Sequence, residues 1–193
     1  AYTDKPREVD LIATKPIRNP SNNPVCDLVL AIDCKYLTKP SVFWMFKNLK
    51  EWKALKVVNT DRDKIIGRTG EPGFTYFGTS YVARLFQSAD RNADDFGTDP
   101  IFKACYQAIS GTIFAREQGT RPSFIYPIVV VDGPGNLFSA DNPAEPLENL
   151  IVHIDFSYPS RTQSGRDVRE PFYVLIINKN NLEKICSHLE KEV

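Results

Sequence analysis

Asp33 and Lys35 stand two residues apart near the end of an otherwise apolar stretch, "VCDLVLAIDCKY" (25–36). The apolar run predicts a buried β-strand, and alternate residues of a strand point to the same side, so the acid and the base share one face. A charge is costly to bury unless it is paired, hydrogen-bonded or bound to a metal. We therefore expect these side chains either to form a salt bridge at a strand end or to serve a site that uses their charges.

A second acid, Asp10, occupies the matching point of the preceding predicted strand, "REVDLIAT" (7–14). If the two strands form an antiparallel hairpin about a symmetrical loop, Asp10 lies opposite Asp33 and Glu8 lies opposite Lys35. The same register pairs the apolar residues of both strands on the other face, and such agreement is what fixes the register of a hairpin. The sequence thus predicts two carboxylates and a lysine in one patch.

This combination of side chains suits the hydrolysis of a phosphodiester. Two facing carboxylates repel each other unless a cation lies between them, and Mg²⁺ is commonly held by one or two carboxylates with waters and a substrate phosphate. A metal ion so held polarises a phosphoryl oxygen and activates a water molecule. A neighbouring lysine orients that water or neutralises the charge that develops on phosphorus.

The two segments resemble the motifs of the PD-(D/E)xK nuclease superfamily, whose members share the restriction-endonuclease-like fold. Val9-Asp10 is similar to the first motif and Asp33-Cys34-Lys35 to the (D/E)xK tripeptide, which lie on the second and third core strands of that family. The resemblance implies that Asp10 and Asp33 bind the metal ion and that Lys35 is the catalytic base or charge stabiliser. The stretch "LAIDCKY" looks closest to the Mrr-like and phage-defence effector nucleases, which implies DNA cleavage in restriction or antiviral defence.

The resemblance also sets expectations for the rest of the fold. It implies an α/β domain, a mixed β-sheet flanked by helices, in which a crossover helix (100–117) and a further strand (123–133) follow the third core strand. We expect a helical insertion at about 37–98, within a single nuclease domain that spans 1–193. The family's leading helix and first strand find no room before Asp10, so either they precede Ala1 in a longer protein, which we expect, or the core is incomplete.

Two polar residues of the predicted crossover helix are additional candidates. Lys103 and Gln107 are four residues apart and therefore share a helix face. Since this helix flanks the active site in the family, the resemblance implies that they contact phosphate or position water. The alternative is that both are ordinary helix-surface residues. Glu8 is in the same way either a metal ligand, a partner of Lys35 or an exposed strand acid.

The pattern of apolar residues and turn signals predicts the remaining elements. Strands are expected at 7–14, 25–36, 123–133, 147–159 and 170–179, and helices at 40–56, 79–88, 100–117 and from 180 onward. Asn180 or Asn181 is expected to cap the last helix. The order of these elements favours one α/β domain with a mixed sheet.

Composition narrows the function classes. The 24 basic and 24 acidic residues balance to a formal charge of zero, which argues only weakly against nucleic-acid binding because a local positive patch suffices. The four cysteines lack C-x-x-C spacing and support neither a zinc site nor a disulfide framework, which favours a reducing, cytoplasmic setting. The sequence shows no signal peptide and no apolar run of membrane-spanning length.

Together with the acid–lysine patch, the resemblance implies a Mg²⁺-dependent endodeoxyribonuclease, for which Mn²⁺ is an alternative metal. We expect it to act on double-stranded DNA, as a homo-oligomer or with a regulatory partner subunit, and not at a membrane. The alternative is a catalytically inactive nuclease-like module that binds DNA or scaffolds a larger complex. A third hypothesis is a nuclease directed at RNA.

Overall fold

A nine-stranded β-sheet runs through the part of the chain that the computed structural model describes, which comprises residues 9–47, 81–89, 99–121, 123–159 and 167–192. Its strands are β1 (Leu11–Arg18), β2 (Pro24–Tyr36), β3 (Ser41–Lys47), β4 (Tyr81–Ser88), β5 (Ser123–Asp132), β6 (Leu137–Ser139), β7 (Asn142–Pro146), β8 (Asn149–Pro159) and β9 (Asp167–Asn178). Two α-helices accompany them, α1 (Pro100–Gln118) and α2 (Leu182–Glu192), and a short 3-10 helix, Lys179–Asn181, precedes α2.

The sheet is mixed, with the strand order β1-β2-β5-β9-β8-β4-β3-β6-β7. Strand β2 is antiparallel to β1 and parallel to β5, and β5 is in turn parallel to β9. Parallel neighbours require a crossover connection, and α1 forms the last part of the connection from β2 to β5. The carboxyl ends of β2, β5 and β9 therefore meet at one end of the sheet.

Apolar side chains cover both faces of the sheet, and β5 shows the alternation most simply. Val129 and Val131 belong to a buried cluster that includes the inner face of α1. Ile128 and Val130 belong to a second buried cluster, which includes Ile185 of α2. A strand that is buried on both faces reads as a continuous β-branched run, as "IVVV" does here.

The hairpin of β1 and β2 has the predicted register. Leu11 pairs with Ile32 and Ala13 with Leu30, so the apolar residues of both strands lie on one face, toward the cluster that includes α2. Strand β1 begins at Leu11 rather than at residue 7. It ends later than predicted because its pairing with β2 continues through Arg18 before the chain turns. The predicted faces and pairing of the strand that carries Asp33 are therefore confirmed.

Several other predicted elements are confirmed with small shifts of their bounds. The predicted helix 100–117 is α1, and the predicted strands 123–133, 147–159 and 170–179 are β5, β8 and β9. The cap of the last helical segment differs, because the side chain of Asn178 accepts a hydrogen bond from the backbone of Asn180 and begins the 3-10 helix.

Two predicted helices in the insertion are wrong where the structure describes them. The start of 40–56 is strand β3, and 79–88 contains strand β4, which is antiparallel to β3. In β3, Phe43 is buried toward α1 while Trp44 and Phe46 are about two-fifths exposed, so apolar residues occupy both faces of the strand. This pattern hides the alternation of a strand and mimics a helix. The remainder of the expected insertion, 48–80 and 90–98, lies outside the described residues.

The coarse fold class is confirmed as α/β with a mixed sheet and two helices among the described residues. Strands β6 and β7 extend the sheet beyond the elements that the sequence predicted. Neither described helix combines the length and the apolarity that crossing a membrane requires.

Candidate active site

Asp33 lies near the carboxyl end of β2, and its side chain is 0% exposed. Its charge is met by Lys35, whose Nζ lies 2.7 Å from Oδ2 of Asp33. Apart from this ion pair, neither carboxylate oxygen has a hydrogen-bond partner among the described residues. A buried carboxylate usually accepts several hydrogen bonds, so Asp33 keeps an unused capacity to bind a cation or a donor group.

Lys35 connects Asp33 to helix α1. Its side chain is 23% exposed, and Nζ also donates a hydrogen bond to Oε1 of Gln107 over 3.2 Å. One ammonium group thus bridges a buried acid on β2 and a neutral amide on the helix. The structure brings the predicted candidate Gln107 into contact with the predicted acid–base pair.

Asp10 reaches the same place from the segment that enters β1. The backbone N–H of Cys34 donates a hydrogen bond to Oδ2 of Asp10 over 2.8 Å. Asp10 precedes the first ladder pair of β1 with β2, so it neighbours β2 through its side chain rather than as a strand partner of Asp33. Asp10 remains exposed.

The position of Asp10 depends on a close contact that the sequence analysis missed. Gly111 lies in the middle of α1, where a Cβ atom would come within 3.0 Å of Cβ and both Cγ atoms of Val9. Val9 therefore packs directly on the backbone of α1 and places the next residue, Asp10, beside β2. A glycine inside a predicted helix was the available signal, since it lowers helix propensity and usually has a packing reason.

Asp99 fixes the start of the helix that carries Gln107. Its Oδ1 accepts hydrogen bonds from the backbone N–H groups of Ile101 and Phe102, which makes it the N-cap of α1. Its Oδ2 accepts a hydrogen bond over 2.8 Å from the backbone of Ser88 at the end of β4. This buried residue, 3% exposed, ties α1 to the sheet. The dipeptide Asp-Pro at a helix start was its sequence signal.

The loops at the carboxyl ends of β2 and β5 hold each other closely. The backbone N–H of Leu37 donates to the carbonyl of Asp132, and that of Gly135 donates to the carbonyl of Leu37. Gly133 has a φ of 103°, and a Cβ there would lie 2.5 Å from the carbonyl oxygen of Leu37. Glycine is needed at this turn, which supports the end of β2 just beyond Lys35.

The electrostatics of the patch reflect its burial. Burial raises the pKa of Asp33 above its ordinary value, the hydrogen bond and charge of Lys35 partly offset this increase, and the charge of Asp10 adds to it. Burial also raises the pKa of the Cys34 thiol, with a further contribution from Asp10 and Asp33. Burial is also the main cause of the raised pKa of Cys105, which is fully buried on α1. Neither cysteine is therefore activated as a thiolate.

The structure separates Lys103 from this patch. Lys103 is exposed in the first turn of α1, one turn before Gln107. Within the described ranges no hydrogen bond or ion pair joins it to Asp33 or Lys35. Glu8 lies outside the described residues, so its predicted place opposite Lys35 stays a prediction.

The donor set fits a hard, oxygen-bound cation. Asp33 offers a buried carboxylate with unused acceptor capacity, and Asp10 offers an exposed one. No group of three His, Cys, Asp or Glu side chains arranged to hold a metal occurs in the described part of the chain. Two carboxylates alone are a common protein contribution to Mg²⁺, which keeps several waters and takes substrate phosphate as a further ligand.

Comparisons with known proteins find no match to this chain among family models, curated proteins or solved structures. Evidence about function therefore comes from the chemistry of four side chains, those of Asp10, Asp33, Lys35 and Gln107.

Proposed function

We propose that this protein is a divalent-metal-dependent nuclease that hydrolyses phosphodiester bonds in DNA, on a restriction-endonuclease-like core. The observation that carries the proposal is the fully buried carboxylate of Asp33, which is paired with Lys35 and has unused acceptor capacity. Burying an ionised carboxylate is unfavourable, and here it raises the pKa of Asp33. Such a group is typical of a functional site.

Each side chain has a defined chemical role in this proposal. Asp10 and Asp33 would hold Mg²⁺ or Mn²⁺, which supplies electrophilic activation of the scissile phosphate and of a bound water. Lys35 orients the attacking water and neutralises negative charge on the phosphoryl oxygens. Gln107 restrains the ammonium group of Lys35 from the helix.

The connection of the strands supports the restriction-endonuclease-like core. The acid–lysine strand β2 is antiparallel to β1, which follows Asp10, and parallel to β5, which follows helix α1. The same order of motif strands, crossover helix and further strand is implied by the resemblance to PD-(D/E)xK nucleases. The assignment to restriction or anti-phage defence rests on the similarity of "LAIDCKY" to effector nucleases of that kind.

The test is cleavage of plasmid DNA in the presence of Mg²⁺ by the wild type and by Lys35→Ala. We expect the variant to lose at least about 100-fold in rate, the usual minimum for a positioned acid–base group. Lys179→Ala is the matched control, because Lys179 also forms an ion pair with an aspartate, over 2.8 Å, but on the exposed surface. A folded Lys35→Ala variant that cuts at the wild-type rate would show that the role of Lys35 is wrong.

The same experiment separates the alternatives. A nuclease-like module without activity would cut no substrate and bind no Mn²⁺ at Asp10 and Asp33. A panel of single-stranded and double-stranded DNA and RNA identifies the substrate. Paired nicks on duplex DNA would favour a homo-oligomer, because each site of this kind cuts one strand.

A further inference from the structure

We propose that Gln107 is a positioning residue that receives the ammonium group of Lys35 when a divalent cation binds Asp33. Cation binding and release of Lys35 from Asp33 are then a single exchange. This inference rests on the metal site of the proposed function and goes beyond it, because it describes how the free enzyme is prepared for the metal.

The first step is competition for one oxygen. Nζ of Lys35 lies 2.7 Å from Oδ2 of Asp33, a carboxylate that is 0% exposed. Two cations in such a buried place repel each other strongly, because little water screens them. A metal ion that binds Asp33 must therefore move Lys35 away from this oxygen, and in the free protein Lys35 neutralises the carboxylate in its place.

The second step is the new partner of Lys35. Oε1 of Gln107 already accepts a hydrogen bond from the same Nζ over 3.2 Å. An amide oxygen has room for more than one hydrogen bond and carries no charge that would compete for the metal. Lys35 can thus leave Asp33 while keeping one fixed partner, and the capped helix α1 holds that partner in place. The exchange keeps the lysine near the reacting phosphate.

The test is a double-mutant cycle on Mn²⁺ affinity, measured by calorimetry at about pH 8, well above the ordinary pKa of a carboxyl group. Lys35→Met removes the competing cation, and we expect it to tighten Mn²⁺ binding roughly tenfold. Gln107→Leu removes the second partner of Lys35, and we expect it to weaken binding roughly fivefold. In the Lys35→Met background, Gln107→Leu should change the affinity less than about twofold, because no ammonium group needs the amide.

Matched controls lie at other places in the fold. Gln118→Leu makes the same change at an exposed position of α1, and Lys179→Met removes the exposed partner of Asp132. Both should leave Mn²⁺ affinity at the wild-type value. Lys35→Gln repeats the charge removal with a polar side chain if Lys35→Met does not fold.

The outcomes separate this inference from the proposed function. Equal effects of Gln107→Leu with and without Lys35 would overturn the exchange, as would unchanged affinity in both single variants. A wild-type protein that binds no Mn²⁺ would overturn the exchange and the proposed function together. The expected coupling in a protein that cuts no nucleic acid would support the exchange and count against the nuclease activity alone.

Discussion

At the scale of single residues, Asp33 combines two properties that oppose each other. Its carboxylate is fully buried, and burial raises its pKa even though Lys35 forms an ion pair with it. A raised pKa means that the folded state binds a proton at Asp33 more tightly than the unfolded chain does. A metal site needs the ionised form of Asp33, and ionisation of Asp33 therefore lowers the stability of the folded, metal-free protein.

Replacing Asp33 with asparagine is expected to stabilise the metal-free protein by about 1 kcal/mol, a typical gain for a stabilising substitution. The amide keeps the shape of the carboxyl group but carries no charge to bury. The same variant should lose Mn²⁺ binding. Urea unfolding and calorimetry measure the two effects, and a destabilised variant would contradict the interpretation of Asp33.

The pH dependence of this difference is a separate prediction. Because the pKa of Asp33 is raised in the folded state, the wild type loses stability as pH rises from the ordinary carboxyl value, about 3.9, through the raised value. Asp33→Asn lacks this loss. The stability difference between the two proteins should therefore grow with pH across that window and stay constant above it. Urea unfolding at a series of pH values, without metal, measures the difference, and one that is independent of pH would exclude Asp33 as its source.

At the scale of elements, the position of Asp10 depends on how closely Val9 approaches α1. Gly111→Ala adds a Cβ at 3.0 Å from the side chain of Val9 and should displace the segment that carries Asp10. We expect roughly a tenfold loss of DNA cleavage, since small misplacements of catalytic groups have large effects on rate. Alanine favours a helix over glycine by about 1 kcal/mol, so helix stability does not explain the loss.

The compensating change provides the control for this prediction. Val9→Ala combined with Gly111→Ala removes the two Cγ methyl groups but leaves Cβ of residue 9 at 3.0 Å, so we expect cleavage to return part of the way toward the wild-type rate. Full activity of the single Gly111→Ala variant would show that Val9 can move without disturbing Asp10.

The cap of α1 connects the helix to the sheet and gives a second prediction for this scale. Asp99→Ala removes the acceptor for two helix N–H groups and for the backbone of Ser88. We expect a loss of about 2 kcal/mol in the free energy of unfolding, the upper range for a lost cap. Asp99→Asn retains one acceptor oxygen and should lose less. Urea unfolding measures both, and equal losses would show that the cap hydrogen bonds are not the cause.

The elements also show what could be predicted from the sequence. The hairpin of β1 and β2 was predictable because one face of each strand is apolar and the turn between them is short. Strand β3 was not, because Phe43 packs toward α1 while Trp44 and Phe46 are apolar on the other face. The contact of Lys35 with Gln107 follows from helix placement, which sequence spacing along α1 does not determine.

At the scale of the whole molecule, α1 links two polar clusters at different ends of the sheet. Near its carboxyl end, Nη1 of Arg116 lies 2.7 Å from Oε1 of Glu170 on β9, and the hydroxyl of Tyr158 on β8 donates to the same oxygen. Arg116 also donates to the Tyr158 hydroxyl. Burial and the hydrogen bond to Glu170 raise the pKa of Tyr158 to about 12. This cluster anchors the helix at the end opposite to Lys35.

Arg116→Met tests whether stability and metal binding reside in separate parts of the molecule. The substitution leaves the charge of Glu170 poorly compensated, with a side chain only 13% exposed, and we expect the free energy of unfolding to fall by about 3 kcal/mol. Arg116 is nine residues from Gln107, about 13 Å along the helix axis, so Mn²⁺ affinity should change less than about twofold. Arg169→Met, at a pair whose arginine is 72% exposed, should lower stability by less than about 1 kcal/mol. A large loss of Mn²⁺ affinity in Arg116→Met, measured where the variant is still folded, would mean instead that α1 transmits changes along its length to the position of Gln107.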